Sequence, residues 1–126
     1  METIRVLVVD EDEDVLELTE TFLERESEAI TALPETSAKT ALERVQTEDI
    51  DCVVSDYRMP GMDGLELFAA VAEYDSDLPF FLLTASAGTD TAGKAENAGV
   101  TGFIQKGAGT DHYTDLARRI ESAVGG

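Results

Sequence analysis

Asp10 and Glu11 follow the apolar run IRVLVV, Asp56 follows CVVS, Thr84 follows FFLL, and Lys106 follows GFIQ. Each thus stands where a short apolar segment ends. Three carboxylates gathered at one edge repel one another, and a single lysine leaves two negative charges unbalanced. A divalent cation would balance them. Mg²⁺ suits such a set, because it takes one or two carboxylates, keeps several waters and completes its octahedron with phosphate oxygens. The edge therefore reads as a phosphoryl-handling site. A carboxylate can itself attack phosphorus and form an acyl phosphate. Asp56 is the candidate nucleophile, since the following YRMPGMDG, with Pro60, Gly61 and Gly64, is a turn-forming loop that leaves a strand-end carboxylate accessible. Lys106 would act as a point charge on the phosphoryl group, and Thr84 as a hydroxyl donor to one of its oxygens.

These side chains meet only if the apolar segments lie side by side in one parallel sheet. The strand candidates are 4–9, 29–33, 51–55, 80–83 and 102–105, mostly apolar on both faces and so buried between layers of helix. Helical spacing fills the gaps at 13–25, 38–48, 65–74, 91–98 and 111–124. In the last of these Tyr113, Leu116, Ala117, Ile120 and Val124 share one face. Ser37 is placed to cap the second helix and Gly99 to end the fourth. The fourth helix is the weakest, because Gly93 inside it costs about 1 kcal/mol relative to Ala. The stretch 87–97 is accordingly expected to be poor in helix and mobile. Alternating strands and helices without barrel closure predict an open, doubly wound α/β sheet, with ligands beyond the C-terminal ends of the strands.

The chain has 126 residues, 43% of them hydrophobic, and no linker or repeat divides it, which predicts one domain over 1–126. Its 27 acidic and 9 basic residues give a net charge of −18, a surface that repels nucleic-acid phosphates and anionic lipid. No apolar run nears the roughly 18 residues of a membrane span, and METIRVLVVDED lacks the features of a secretory signal. A cytoplasmic location is expected. The acids are spread along the whole chain, and of the basic residues only Lys39, Lys94 and Lys106 are lysines. This pattern points to a halophilic cytoplasm, where salt screens the self-repulsion. Cys52, the single cysteine, sits in the apolar run IDCVVS and is expected to be buried and structural.

The segments VVDED, SDYRMPGMDG, LLTA and AGVTGFIQK, in this order and spacing, closely resemble the receiver domain of two-component response regulators. The likeness covers essentially the whole chain and is paired with the high-salt composition, which suggests a halophilic archaeal source. It implies a flavodoxin-like (βα)5 fold with strand order 2-1-3-4-5. By the same resemblance Asp56 is the phosphoacceptor, and Asp10, Glu11, Asp56 and the main-chain carbonyl of Arg58 hold Mg²⁺. Thr84 and Lys106 contact the phosphoryl group, and Phe103 matches the aromatic that reorients with Thr84. Arg58 and Ser86, two residues beyond Asp56 and Thr84, flank the path of the hydrolytic water, and Arg58 is expected to fold over the site and pair with an acid such as Glu11. The donor is a histidine kinase, and the output is a downstream protein or a fused output domain. A homodimer through the fourth helix, fifth strand and fifth helix is a further possibility of the family. Such a domain catalyses only its own phosphorylation and dephosphorylation and is not otherwise an enzyme. Gly107 departs from the pattern, since the family usually follows its lysine with proline.

Other readings fit less well. A haloacid-dehalogenase-type phosphatase pattern forced onto Asp10 and Asp12 finds Asp14 where Thr or Val belongs. An EF-hand finds Val15 at the glycine position and Thr21 at the bidentate glutamate position. A flavodoxin-like electron carrier needs a phosphate loop after the first strand, where this chain places five acids. Asp12, Glu13 and Asp14 instead suit an acidic helix start. A phosphorylation-independent interaction module is the alternative that keeps the same fold. His112, the only histidine, is expected at the surface without a phosphohistidine role.

Overall fold

The structure is a computed structural model that describes the backbone of residues 3–84, 89–106 and 111–125 and, apart from 89–92, their side chains. Ser86 and the Lys106–Gly107 linkage, both singled out by the sequence, fall at or beyond the limits of the described residues. Five strands, β1 (Ile4–Val9), β2 (Ile30–Glu35), β3 (Cys52–Ser55), β4 (Phe80–Thr84) and β5 (Gly102–Gln105), alternate with five helices, α1 (Glu13–Glu26), α2 (Ala38–Thr47), α3 (Gly64–Tyr74), α4 (Thr89–Ala98) and α5 (Asp111–Gly125). All strand pairs are parallel, in the order β2-β1-β3-β4-β5.

Alternation along β1 decides the two faces. Val6 and Val8 join Leu16 and Leu23 of α1 and Tyr113, Leu116 and Ile120 of α5 in one cluster. Leu7 and Val9 point the other way, onto Ala41 and Val45 of α2, Leu67 and Val71 of α3, and Ala95 of α4. The period of two in the strand and the helical stripes thus produce a three-layer α/β domain. Cys52 is fully buried, and burial pushes its thiol far above the ordinary range, so it is the inert structural residue expected.

Several boundaries differ from expectation by a residue or two, and three of the differences have a clear local reason. β2 runs two residues further, through Pro34 to Glu35, because it is an edge strand and a missing N–H on its open side breaks no ladder bond. α3 begins at Gly64 because Asp63 and Glu66 form a reciprocal capping box. α4 covers Thr89–Ala98, so the helix expected at 91–98 forms, starting two residues earlier, and residues 89–97 are not poor in helix. Ala95, fully buried against the sheet, supplies the packing that offsets Gly93. Gly99 ends α4 with φ of 92° and returns its N–H to the carbonyls of Ala95 and Glu96.

Candidate functional site

The chain leaves β1 toward β2 and crosses back to β3, so strand order reverses between β1 and β3. Asp10 and Asp56 stand at that point, the place where open α/β sheets bind ligands. The backbone ties them together: the Asp56 N–H donates to Val9 O at 2.9 Å, and the Asp10 N–H donates to Glu35 O at 3.1 Å. On the other side of β3 the Lys106 N–H donates to Thr84 O at 2.8 Å, which brings the end of β5 level with the end of β4.

Asp10 is only 5% exposed. Its Oδ1 accepts from the Asp12 N–H at 3.0 Å, and its Oδ2 faces Lys106 Nζ at 3.3 Å. The ammonium also lies 4.0 Å from Asp56 Oδ1, so one lysine stands between two carboxylates. Asp56 Oδ1 accepts in addition from the Tyr57 N–H at 2.9 Å. Burial raises the Asp56 carboxyl above its ordinary range, the lysine opposes this, and Asp10 and Glu11 raise it further. The lysine loses that contest because burial is the largest influence and the neighbouring carboxylates add to it. Nothing among the described residues adds a second cation to the group.

Glu11 is exposed and looks over an open polar depression of about 460 Å³ that it shares with Asp12, Glu13, Asp14 and Thr36. Among the described residues no three His, Cys, Asp or Glu side chains stand close enough together to form a ready metal cage. The donor set nevertheless fits Mg²⁺, which needs only one or two carboxylates and hard oxygen. Asp10 and Asp56 are that pair, with a single ammonium between them. Asp12 does not belong to the set: it caps α1, accepting from the N–H groups of Asp14 and Val15.

Thr84 is buried, 2% exposed, at the end of β4. Phe103 is half-buried beside Leu82 in the register and packs on the α2–α3–α4 face of the sheet. Arg58 is exposed, and among the described residues it forms no ion pair, so the expected contact with Glu11 is not made. His112 is half-buried, less exposed than expected of a surface residue. Its ring centroid is 4.0 Å from that of Tyr113, and burial together with Lys106 lowers its pKa.

Gly64 makes the approach of α3 to the nucleophile possible. Its N–H donates to Tyr57 O at 2.7 Å. A Cβ at this position would lie 2.5 Å from Asp56 O, 2.7 Å from Leu82 Cδ2 and 3.1 Å from Tyr57 Cα. The sequence marks Gly64 as a turn residue; its real task is to let a helix start directly against the Asp56 backbone.

The comparisons with known proteins agree with this geometry. The family model described as "Response regulator receiver domain" matches residues 6–118. The chain is 34% identical over 116 residues, 92% of its length, to the C4-dicarboxylate transport transcriptional regulatory protein DctD of Rhizobium meliloti (strain 1021). It spans between 14% and 27% of the length of curated relatives such as this one. Among solved structures, a two-component response regulator of the LuxR family from Aurantimonas sp. SI85-9A1 superposes with a TM-score of 0.86 at 26% identity, covering 98% of this chain and 86% of that one. A response regulator receiver domain protein from Clostridium thermocellum superposes with a TM-score of 0.84 over 97% of this chain and 94% of its own, and at 22% identity it speaks for the fold alone.

Proposed function

The chain belongs to the response regulator receiver domain family, and from that premise we propose that it takes a phosphoryl group from the phosphohistidine of a histidine kinase onto Asp56 and, in that state, presents a changed surface to a protein partner. The observation that carries this reading is the switch-point cluster itself: a half-buried carboxylate with a raised pKa, a buried second carboxylate, and one lysine 4.0 and 3.3 Å from them, respectively.

In the reaction an Asp56 carboxylate oxygen forms a bond to phosphorus as the P–N bond of the donor breaks, and the histidine leaves with the electron pair and takes up a proton. Asp56 Oδ1 accepts from the Tyr57 N–H, which helps to orient the carboxylate for the incoming group. Lys106 exchanges its hold on Asp10 and Asp56 for a phosphoryl oxygen, and the Thr84 hydroxyl donates to another. Asp10, Glu11, Asp56 and the Arg58 carbonyl are the residues that would hold Mg²⁺, which when bound supplies the positive charge the carboxylates and phosphoryl oxygens require. Arg58 and Ser86 set how long the acyl phosphate survives.

Contacts made by Thr84 and Lys106 pull on β4 and β5, and the arrangement of α4 and α5 that follows, with Phe103 reoriented, is the output. A downstream protein or a fused output domain reads it, and the α4-β5-α5 face is the surface for a homodimer. With a charge of −18 the domain signals to protein and not directly to nucleic acid. We place it in the cytoplasm of a salt-adapted cell, where the excess acid is screened.

Incubation with a small phosphoramidate or acyl-phosphate donor tests this reading. One phosphate per chain, dependent on Mg²⁺, supports it. Continuous turnover of a phosphomonoester would indicate a phosphatase, and no uptake under any condition would leave the phosphorylation-independent interaction module.

A further inference from the structure

β2 is an edge strand, bonded only to β1. Ala29 and Glu35 give their carbonyls to the N–H groups of Ile4 and Asp10, so residues of that parity face β1, and Ile30, Ala32 and Pro34 face the open side. Three of these outward groups have substitute partners. The Ile30 N–H donates to Ser27 O at 3.2 Å, and the Ala32 N–H donates to Glu24 Oε2 at 3.0 Å. Pro34 has no N–H, and its carbonyl accepts from Arg44 Nη1 at 3.0 Å.

Arg44 does more than close the edge. From the last turn of α2 its guanidinium also meets Glu35 Oε1 at 3.5 Å and donates through Nε to Glu48 Oε2 at 2.9 Å. The other oxygen of Glu35 accepts from the Ser37 N–H at 3.1 Å. The Pro34–Glu35 end of the strand is therefore clamped to α2 by one side chain. That end carries the carbonyl that accepts the Asp10 N–H.

We propose that Arg44 is a positioning residue for the phosphoryl site, acting through Glu35 to hold the backbone of Asp10 where its carboxylate can serve. The proposal rests on the reading of Asp10 as a site carboxylate. The need for a clamp follows from the topology. At its last rung β2 has a neighbour on one side only, and Pro34 removes an outward donor. A rigid fork that reaches a carbonyl and two carboxylates at once is a guanidinium property that an ammonium does not reproduce.

Arg5 provides the control. It contributes the same charge and the same partner, Glu48, at 3.4 Å, but it sits at the opposite end of β1 from the site. Electrostatics and positioning make opposite predictions. Removing any cation makes the chain more negative and should tighten Mg²⁺ binding slightly, whereas loss of the clamp should weaken it.

The experiment uses the full chain at fixed salt, with Arg44→Ala, Arg44→Lys and Arg5→Ala. It reads amide hydrogen exchange at Asp10 by NMR and the Kd for Mg²⁺ by calorimetry. Expected are faster exchange at Asp10 in both Arg44 variants, unchanged protection at Leu7 and Val8, and Mg²⁺ binding about tenfold weaker in Arg44→Ala, the lower end of what outer-shell contacts to metal ligands are worth. Arg5→Ala should change neither in that direction. Arg44→Lys keeps the charge and stem and answers for the proposal should Arg44→Ala fold poorly. Unaltered Asp10 exchange and unaltered Kd in the Arg44 variants would overturn the proposal, as would equal effects from Arg5→Ala. A wild-type chain that neither binds Mg²⁺ nor takes phosphate would instead defeat the reading of the site, and the exchange data would still decide whether the clamp exists.

Discussion

Gly64→Ala and Gly93→Ala make the same chemical change in two helices and should move stability in opposite directions. At Gly64 the added methyl would sit 2.5 Å from the Asp56 carbonyl oxygen and 3.1 Å from Tyr57 Cα, both backbone atoms, and 2.7 Å from the fully buried Leu82. Backbone that is bonded into β3 and capped onto α3 cannot swing aside as a long side chain can. Overpacking of this kind costs about 1–3 kcal/mol. Gly64 is the first residue of α3, so the helix-propensity gain from Ala is smaller than the ~1 kcal/mol available in a helix interior. The clash wins, and a net loss of about 2 kcal/mol should lower Tm by roughly 6–10 °C for a domain of this size. Gly93 is inside α4 with nothing within 4 Å of the would-be Cβ, so only propensity acts, and Gly93→Ala should stabilise by about 0.5–1 kcal/mol. The displaced Asp56 carbonyl belongs to the nucleophilic residue, so Gly64→Ala should also slow phosphorylation by about tenfold or more. Circular-dichroism melts at one fixed salt concentration read the first effect, and labelling by a small phosphodonor reads the second. A Gly64→Ala chain that melts at or above the wild type would refute the contact geometry around Asp56.

The raised pKa of Asp56 means that the folded state binds its proton more tightly than the unfolded chain does, so ionisation costs stability as pH rises from the ordinary carboxylate range through the raised value. Asp56→Asn should therefore raise Tm near neutral pH, with the gain shrinking on acidification; a gain that grows toward low pH would contradict the assignment. Glu11→Gln should weaken Mg²⁺ binding in calorimetry at fixed salt and Asp14→Asn should not, because Asp14 belongs to the first turn of α1. Equal losses would indicate diffuse attraction to the acidic surface. Arg58 is exposed, and Arg58→Ala should change the half-life of the acyl phosphate several-fold, roughly 1 kcal/mol, with little change in Tm. An unchanged half-life would confine the role of this residue to its main-chain carbonyl.

Much of this architecture is legible in residue order. VLVV and CVVS can only be strands buried on both faces, and the residues that follow them land at the switch point of the sheet because a parallel sheet aligns every C-terminal strand end. What was not legible depends on contacts between segments distant in sequence. Nothing near Pro34 announces that β2 continues through it; that follows from β2 being at the edge. The helix at 91–98 was legible in its spacing, but Gly93 made it look weak, and the burial of Ala95 against the sheet is what the spacing did not show. The capping box at Asp63 and Glu66 was readable by its spacing, and it moves the start of α3 to Gly64. The sharing of Lys106 between Asp10 and Asp56, and the reach of Arg44 to Pro34 and Glu35, are distances that no spacing along the chain encodes.

The account stands on Asp56 as the residue that takes the phosphoryl group. Intact-mass measurement after incubation with a small phosphodonor and Mg²⁺, on the wild type and on Asp56→Asn, tests it most directly. The account predicts a gain of one phosphoryl group on the wild type, lost on brief alkaline treatment as acyl phosphates are, and no gain on the variant. Equal labelling of the two chains would contradict it.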